Sequence, residues 1–366
     1  MIAILLCVLV IFGVKWYWDR CGEVRIVSLW VYPVKSCQGI RCKRLLVSND
    51  GSLRYDREWA ILDTRTNKIL TGRDKPCLVR IQPSISTTLV LTFPDGCSVS
   101  TMDNASLAFD TELWQVPCTG IDQGDDVSNA LSAYLEEPCG TIRLIRMKRC
   151  DRRLSDCLKY GPLAGSEELT RFSDWSPITL ISTATVRAIR SSDLDERWFR
   201  PNLVVDAKTP FIEETWDRFK IQSNGTFQSF QVLKRCSRCV ELCVNPATGR
   251  FTRGFEPLKT LRRLRGGFYD FLPLSSSFYK LEAFAAVNVI MKPRSEAFPI
   301  VVGSKVTAIS LNEIGNSDGG LERARGALRP QRLAQHQHRR ELLVLGLDRG
   351  ALGRRGAWFA EAIDER

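Results

Sequence analysis

The chain has 366 residues, 44% hydrophobic and 25% charged, so it can bury one large or two medium cores and has the composition of a globular protein. Its formal net charge of +11 favours anionic partners, but the basic residues are scattered and form no nucleic-acid-binding motif, so we expect no nucleic-acid partner. Arginines gathered around a phosphate-bearing cofactor and a solvated basic surface both remain as explanations.

The amino terminus predicts a membrane anchor. Residues 2–14 are apolar and uncharged, and Lys15, an aromatic Trp16-Tyr17-Trp18 belt and Arg20 follow them. The run lacks the positive leading region and the small-residue cleavage site of a secretory signal peptide. We therefore predict an anchor over residues 1–20 that leaves the folded body in the cytosol, with a buried helix or an uncleaved export signal as alternatives.

The body from residue 24 predicts a mainly β fold with some helix (α+β), because short apolar stretches alternate with turn sequences such as Asn49-Asp50-Gly51. The predicted strands cover residues 25–31, 59–63, 89–93, 178–182, 202–206 and 230–234. Asp126 is predicted to cap a helix over 127–135, and Thr183 one that runs to residue 190.

Composition also predicts the domain limits. A charged stretch and a loop-like stretch indicate a boundary near residues 150–170, with one domain over 21–150 and another over 165–310. After residue 310 lysine disappears and arginine, glycine, alanine and leucine dominate, so we predict that 311–366 is a disordered or aberrant tail.

The cysteines and histidines limit the possible chemistry. The only histidines, His336 and His338, lie in the tail, which excludes Ser-His-Asp and Cys-His pairs and histidine-ligated metals from the body. The thirteen cysteines are dispersed and odd in number, which indicates free thiols in a reducing compartment. Most are expected to be buried, including four in apolar stretches: Cys37, Cys42, Cys77 and Cys97.

Cys236, Cys239 and Cys243 form the main candidate for chemistry. Their CxxC spacing suggests zinc, but the body offers no second CxxC pair and no histidine to complete four ligands. A structural set of thiols is the second interpretation. In the third, one thiolate binds a cofactor's metal and the nearby Arg235 and Arg238 lower the pKa of that thiol.

Three other segments place cations at predicted strand ends. Pro201 restricts Arg200 to extended geometry just before an apolar strand, although the same pattern is typical of an ordinary loop. Lys35 and Ser36 follow the first predicted strand. Arg57 follows Asp56, a pairing that taken alone indicates a surface ion pair.

Together these segments resemble the MOSC-domain family, and within it the amidoxime-reducing branch, from about residue 24 to 306. The resemblance rests on LWVYPVKSCQGI (29–40), YDREWAILD (55–63), FSDWSPITLIS (172–182), FRPNLVVD (199–206), CSRC (236–239) and EPLKTLRRLR (256–265). It implies an N-terminal MOSC-type β-barrel domain followed by a MOSC β-barrel domain, with a molybdenum cofactor (Mo-molybdopterin) held between them. Trp175 and the stretch 275–299 depart from the family pattern, and the closing strand is expected to cover residues 300–309.

By this resemblance Cys239 is the catalytic residue and the ligand of molybdenum. The residues matching positions that contact the pterin, its phosphate or the surroundings of the metal are Lys35, Ser36, Arg57, Arg200, Asn202, Ser237 and Arg238. Several fixed guanidiniums suit a dianionic phosphate.

The implied function is reduction of N-hydroxylated compounds, amidoximes and hydroxylamines, with electrons from cytochrome b5 and its NADH-dependent reductase, at the outer mitochondrial membrane with the body in the cytosol. No Rossmann fingerprint is present, so nicotinamide is not expected to bind this chain. One alternative is a molybdenum cofactor carrier or sulfur-transfer protein, although no pyridoxal-phosphate desulfurase portion is recognisable. Another is a membrane-tethered scaffold without a cofactor, and the endoplasmic reticulum or peroxisome is the alternative location.

Overall fold

The computed structural model describes residues 23–102, 107–114, 116–148, 170–189, 193–267, 282–293 and 296–310, all in one compact unit. The predicted anchor (1–20), the predicted tail (311–366) and nearly all of the predicted boundary lie outside these residues. Among the described residues, no helix combines the length and the apolar character needed to cross a bilayer.

The described residues form strands for the most part, with three short α-helices. The first strands are β1 (Val24–Val31), β2 (Ile40–Cys42), β3 (Arg44–Val47), β4 (Trp59–Asp63), β5 (Lys68–Ile69), β6 (Gln82–Ile85), β7 (Leu89–Thr92), β8 (Ser98–Ser100), β9 (Ala108–Leu113), β10 (Val116–Asp122) and β11 (Ile142–Met147). The later strands are β12 (Ile178–Ser182), β13 (Leu203–Asp206), β14 (Trp216–Ser223), β15 (Thr226–Arg238), β16 (Val244–Asn245), β17 (Arg250–Phe251), β18 (Gly266–Gly267), β19 (Glu282–Met291), β20 (Phe298–Val301) and β21 (Lys305–Ser310). The helices are α1 (Asp125–Tyr134), α2 (Thr183–Ala188) and α3 (Leu258–Arg265). The mainly β prediction is confirmed.

The larger sheet closes on itself. Its order is β12-β13-β1-β21-β14-β15-β19-β18, and β12 also pairs with β19, which completes a circuit of seven strands. Nearly every residue of β19 is buried, as expected for a strand covered on both faces. The rings of Phe219 and Phe230 stack with their centroids 5.4 Å apart inside this core.

A second, smaller barrel is closed by strands β10-β11-β4-β5-β9. Helix α1 covers one side because Val127 and Leu131 are apolar one turn apart, and both are buried with Ile142 and Leu144 of β11. The sheet β6-β7-β8 adds Leu89 to the same core.

The first two strands of the chain belong to the larger sheet, not to the smaller barrel. β1 pairs with β2, β13 and β21 in that sheet, while β3 pairs with β20 in a separate two-stranded sheet. The chain then crosses to the smaller barrel, where the Lys35 amide donates to the Trp59 carbonyl over 2.9 Å. The loop that follows β1 and the residues just before β4 therefore lie where the two barrels meet.

Most predicted elements are found within a few residues, and the misses concern ends and caps. The strands predicted at 59–63 and 178–182 have the predicted limits. The single closing strand predicted over 300–309 is wrong. Gly303, at a φ of 92°, lies between β20 and β21, so the chain turns there and the two strands pair with different partners.

Both predicted helix caps are also wrong. Gly124, at a φ of 100°, occupies the cap position of α1, and Asp126 lies inside the helix. Ser182 caps α2 by accepting a hydrogen bond from the Thr185 amide, and Thr183 is the first helical residue. In each case the chain turns into the helix one or two residues earlier than the side-chain preference suggested.

One buried carboxylate predicts a pH dependence of stability. The Glu213 side chain is buried, and Oε1 accepts a hydrogen bond from the Ser182 amide over 3.1 Å. Burial raises the pKa of Glu213 above its ordinary value of 4.5, while hydrogen bonds from Thr185 and Ser182 oppose the shift. Because the folded state holds this proton more tightly, its contribution is complete below pH 4.5 and is lost as pH rises through the folded pKa.

We therefore expect Glu213→Gln to gain stability relative to the parent as pH rises from 4 to 7, by roughly 1.4 kcal/mol per unit of raised pKa. Chemical denaturation at several pH values measures this change. Glu137→Gln is the control of opposite sign, because the hydrogen bond from Lys75 lowers the pKa of Glu137, so this variant should lose stability relative to the parent over the same pH range. A flat difference between Glu213→Gln and the parent across this range would contradict the prediction.

Candidate functional site

Four chain segments converge where the two barrels meet. They are the loop after β1, the loop before β4, the junction that leads into β13 and the end of β15. The Arg57 amide donates to the Tyr32 carbonyl over 2.7 Å, and Arg57 Nη2 donates to the Arg200 carbonyl over 3.1 Å. Arg238 Nη1 donates to the Phe199 carbonyl over 2.9 Å. All four segments that sequence reasoning selected are thus brought together.

The Asp56 carboxylate is the centre of this junction. It is buried, with 4% of the residue exposed, and it accepts hydrogen bonds from the Tyr32 amide and from Asn202 Nδ2, both over 2.9 Å. Arg57 Nη1 pairs with it over 2.7 Å. The Asp56–Arg57 pair is therefore an internal cross-link between segments, and its interpretation as a surface ion pair is wrong.

Two predicted cofactor residues share one aromatic ring. The guanidinium carbons of Arg57 and Arg200 lie 4.3 and 4.5 Å from the ring centroid of Tyr32. Both arginines have left-handed backbone, with φ values of 48° and 49°, and Ser36 has a φ of 64°. The extended geometry predicted for Arg200 before Pro201 is therefore wrong, because Arg200 ends a 3₁₀ turn over Glu196–Phe199 in the left-handed region. Such conformations are unfavourable for residues other than glycine and are concentrated at functional sites.

Arg200 and Arg238 at the junction use only some of their hydrogen-bond donors. Arg200 Nη1 donates to the Cys37 carbonyl over 2.7 Å, and Arg238 Nε donates to the Ala285 carbonyl over 2.9 Å. The other terminal nitrogen of each arginine, Nη2, is buried and has no hydrogen-bond partner among the described residues. A buried charged donor without a partner is costly, so two of them in one junction indicate a site built for an anionic ligand.

Lys35 lies in a second polar cluster. Its Nζ donates to the Phe172 carbonyl over 3.0 Å and forms an ion pair with Asp174. Asp174 also accepts from Trp114 Nε1 over 3.2 Å. Burial acts to raise the pKa of Asp174, but the charges of Lys35 and Arg73 outweigh it and hold the pKa below its ordinary value, so the carboxylate stays ionised.

Cys239 lies immediately after β15, and its carbonyl accepts from the Leu242 amide in a short 3₁₀ turn. The residue is exposed, yet desolvation by nearby protein atoms raises the pKa of the thiol to about 11. Glu241 and Asp174 act in the same direction, and Arg73 opposes them. The interpretation in which Arg235 and Arg238 lower this pKa is wrong, because the charges that act on the sulfur come mainly from carboxylates.

The remaining predicted residues differ in what they can still bind. Ser36 Oγ donates to Glu241 Oε1 over 3.0 Å, which places it near Cys239. Ser237 lies on β15, paired opposite Phe284 of β19. Asn202 is 1% exposed, and its Nδ2 donates to Asp56 and to the Trp30 carbonyl while its Oδ1 accepts from the Thr179 amide. Its side-chain hydrogen bonds are all made to other protein groups, so Asn202 links neighbouring segments of the chain.

Sequence reasoning missed four residues around the thiol: Arg73, Trp114, Asp174 and Glu241. Arg73 lies with its guanidinium carbon 4.5 Å from the Trp114 ring centroid. Two of the four carried a signal, since Asp174 lies within FSDWSPITLIS and Glu241 is two residues after Cys239. Arg73 and Trp114 carried none, because only the folded chain brings the smaller barrel beside the CSRC segment.

The cysteine predictions are only partly met. The nine described cysteines are all free, but only four of them, Cys37, Cys118, Cys236 and Cys243, are buried. Cys97 is exposed, because it follows a turn at the tip of the β7–β8 hairpin. The described part of the chain contains no group of three histidine, cysteine, aspartate or glutamate residues arranged to hold a metal ion.

Comparison with models of known domain families shows which domains the chain contains. A model of the MOSC N-terminal β-barrel domain matches residues 23–138, and a model of the MOSC domain matches residues 168–272. Both matches contain segments of the junction described above.

The chain belongs to the MOSC-domain family. It is 31% identical over 266 residues to mitochondrial amidoxime-reducing component 1 of Danio rerio, and the alignment covers 68% of this chain and 77% of that protein. Its identity to mitochondrial amidoxime-reducing component 1 of Xenopus laevis is 29%, covering 75% of this chain and 84% of that protein. It is also 30% identical to the molybdenum cofactor sulfurase of Danio rerio, where it covers 67% of this chain and only 31% of that protein.

Proposed function

We propose that this protein is a molybdenum cofactor oxidoreductase that reduces N-hydroxylated compounds, namely amidoximes and hydroxylamines. The observation that carries the proposal is the pair of buried Nη2 atoms, on Arg200 and Arg238, that have no hydrogen-bond partner among the described residues, in a junction formed in part by the end of β15, which the exposed Cys239 follows directly. The relatives named amidoxime-reducing components, which align over most of their length, support the reaction class.

The residues present fit such a cofactor. Arg200 and Arg238 offer charge-assisted donors to the phosphate of the pterin, and Arg57 adds a third positive charge at the same junction. The Nη1 atoms of Arg200 and Arg238 donate to backbone carbonyls, which fixes the position of each guanidinium and of its Nη2 donor. The Cys239 thiol supplies the soft sulfur ligand that molybdenum needs, and it would bind as the thiolate.

When bound, the cofactor supplies the two-electron redox chemistry of the reaction. The overall change breaks the N–O bond: the N–OH group takes up two electrons and two protons and becomes N–H plus one water. The chain's own contribution is to hold and orient the cofactor through Cys239 and the arginines. In the second polar cluster, Asp174 stays ionised and holds Lys35 through an ion pair and Trp114 through a hydrogen bond.

The proposed electron source is cytochrome b5 with its NADH-dependent reductase. The proposed location is the outer mitochondrial membrane, with the catalytic body in the cytosol and residues 1–20 as the anchor. The names of the relatives as mitochondrial components support the organelle. The apolar run at residues 2–14 supports the anchor.

The test of cofactor binding is elemental and pterin analysis of protein made in a host that synthesises molybdenum cofactor. We expect stoichiometric molybdenum in the parent. Arg200→Met and Arg238→Met should each lower cofactor affinity by about tenfold or more, since a hydrogen bond to a charged group contributes roughly 1.5–3 kcal/mol. Arg187→Met is the control, because Arg187 is exposed and bonds only locally, to Thr183. Absence of molybdenum and pterin from the parent would overturn the proposal.

A second candidate is a carrier that binds the cofactor and delivers it or modifies it with sulfur. The similarity to molybdenum cofactor sulfurases over about a third of their length favours it. Repeated turnover of benzamidoxime by cofactor-loaded protein with cytochrome b5, its reductase and NADH distinguishes the two. A carrier would show cofactor transfer to an acceptor apoenzyme and no sustained NADH oxidation.

A further inference from the structure

Residues 250–265 form a basic surface that the cofactor site does not use; we refer to it as the 250–265 surface. Five of its cations are exposed, Arg250, Arg253, Lys259, Arg262 and Arg263, and its single acidic residue is Glu256. Three apolar side chains are exposed among them: Phe251 at 40%, Phe255 at 49% and Leu264 at 51%. An exposed apolar patch surrounded by like charges is typical of an interaction surface.

The loop and helix α3 that form the surface are both attached to the segment around Cys243, the loop through the Thr252 amide and the helix through Leu258 and Leu261, which share a buried cluster with Cys243. Helix α3 buries Leu258 and Leu261, which leaves Lys259 and Arg262 on the outer face. The preceding loop holds Phe251 and Phe255 with their ring centroids 6.4 Å apart. The left-handed φ of 56° at Phe255 is unfavourable for a bulky residue, yet it keeps the ring exposed.

The 250–265 surface is attached directly to the turn that begins at Cys239. The Thr252 amide donates to the Cys243 carbonyl over 2.9 Å, and Cys243 Sγ donates to the Phe255 carbonyl over 3.2 Å. The turn from Cys239 to Cys243 is a single 3₁₀ element, so its ends are separated by roughly 8 Å at about 2 Å of rise per residue. A protein docked on this surface would therefore stand close to the proposed metal ligand.

We propose that the 250–265 surface is the docking face for an acidic electron-transfer protein, an inference that rests on the proposed reductase function. Five exposed cations complement an acidic partner and steer its approach, and the phenylalanines and Leu264 supply apolar contact once the partner is seated. The short path to Cys239 favours a redox partner over an anionic membrane, which needs no approach to the site.

Binding of oxidised cytochrome b5 to the purified full-length protein tests the proposal, by titration at 20 mM and 200 mM salt. We expect measurable binding that weakens with salt, because the association is electrostatic. The double variant Lys259→Glu, Arg262→Glu should weaken binding by about tenfold or more and flatten the salt dependence. Lys259→Gln, Arg262→Gln should fall between it and the parent, and it serves if charge reversal impairs folding.

The matched control is Lys43→Glu, Arg44→Glu, two exposed cations at the start of β3, which pairs with β20. We expect it to change the binding constant by less than about twofold. Equal weakening by the control and the α3 variants, or no binding by the parent at low salt, overturns the proposal. The proposal is also overturned if the α3 variants lose binding to phosphatidylserine vesicles but still bind cytochrome b5 as the parent does. Because the readout is binding, a failed reductase assay is a separate result that bears on the proposed function alone.

Discussion

Replacing Cys239 with alanine is expected to remove molybdenum from the protein and to abolish reduction of amidoximes. The thiol is the exposed sulfur at the junction of the two barrels, and it is the only proposed protein ligand of the metal. Loss of an outer-shell partner of a metal ligand commonly costs 10–100-fold, so loss of the ligand itself should lower turnover by more than about 100-fold. Molybdenum content and NADH-coupled turnover measure the two effects together.

Two other cysteines provide controls for that variant. Cys97→Ala removes an exposed thiol at a hairpin tip and should leave both readouts unchanged. Cys243→Ala removes a buried thiol and its bond to the Phe255 carbonyl, so it should lower stability while molybdenum remains bound. Full molybdenum content in Cys239→Ala would show that this sulfur is not the ligand.

Replacing Asp56 with alanine is expected to cause the largest loss of stability among single changes at the junction. Its buried carboxylate accepts from the Tyr32 amide and from Asn202 Nδ2 and pairs with Arg57. Removing it leaves a half-buried guanidinium without its carboxylate and two buried donors without an acceptor. Breaking a buried pair in this way costs about 3–5 kcal/mol. Urea denaturation at neutral pH measures the change.

The same change should also disturb the cofactor site, since Arg57 lies over Tyr32 together with Arg200. Asp56→Asn is the informative second variant, because it keeps the acceptor for the Tyr32 amide and loses the charge that pairs with Arg57. Glu23→Ala is the matched control, since its pair with Arg25 is exposed and should leave the free energy of unfolding nearly unchanged. A loss in Asp56→Ala no greater than that of the control would mean that the carboxylate does not hold the junction together.

Much of the fold could be read from local pattern. The apolar runs at 59–63 and 178–182 form strands with the predicted limits, because a buried strand needs only a short apolar run between turns. Helix α1 was predicted one residue late at its C-terminal end and two residues late at its start. The errors arise where backbone geometry overrides side-chain preference, as at Gly124 and at Gly303.

The site was predicted less completely than the fold. Arg57, Arg200 and Arg238 are indeed brought together, and their motifs were visible in the chain. The charges that act on Cys239 were not predicted, because Glu241, Asp174 and Arg73 reach the sulfur from three separate segments. Trp114 contacts Asp174 across 60 positions of sequence, a separation at which no spacing rule operates.

The amino-acid sequence by itself determined which stretches form strands, which family the chain resembles and which cations and thiol are available. Local apolar periodicity and short motifs carry that information within a few residues. The tertiary structure alone decided that β1 and β3 pair with strands near the other end of the described chain, and that Asp56 is the buried centre of the junction. It also left Arg200 and Arg238 with buried donors, because hydrogen-bond partners depend on long-range strand pairing that no local pattern specifies.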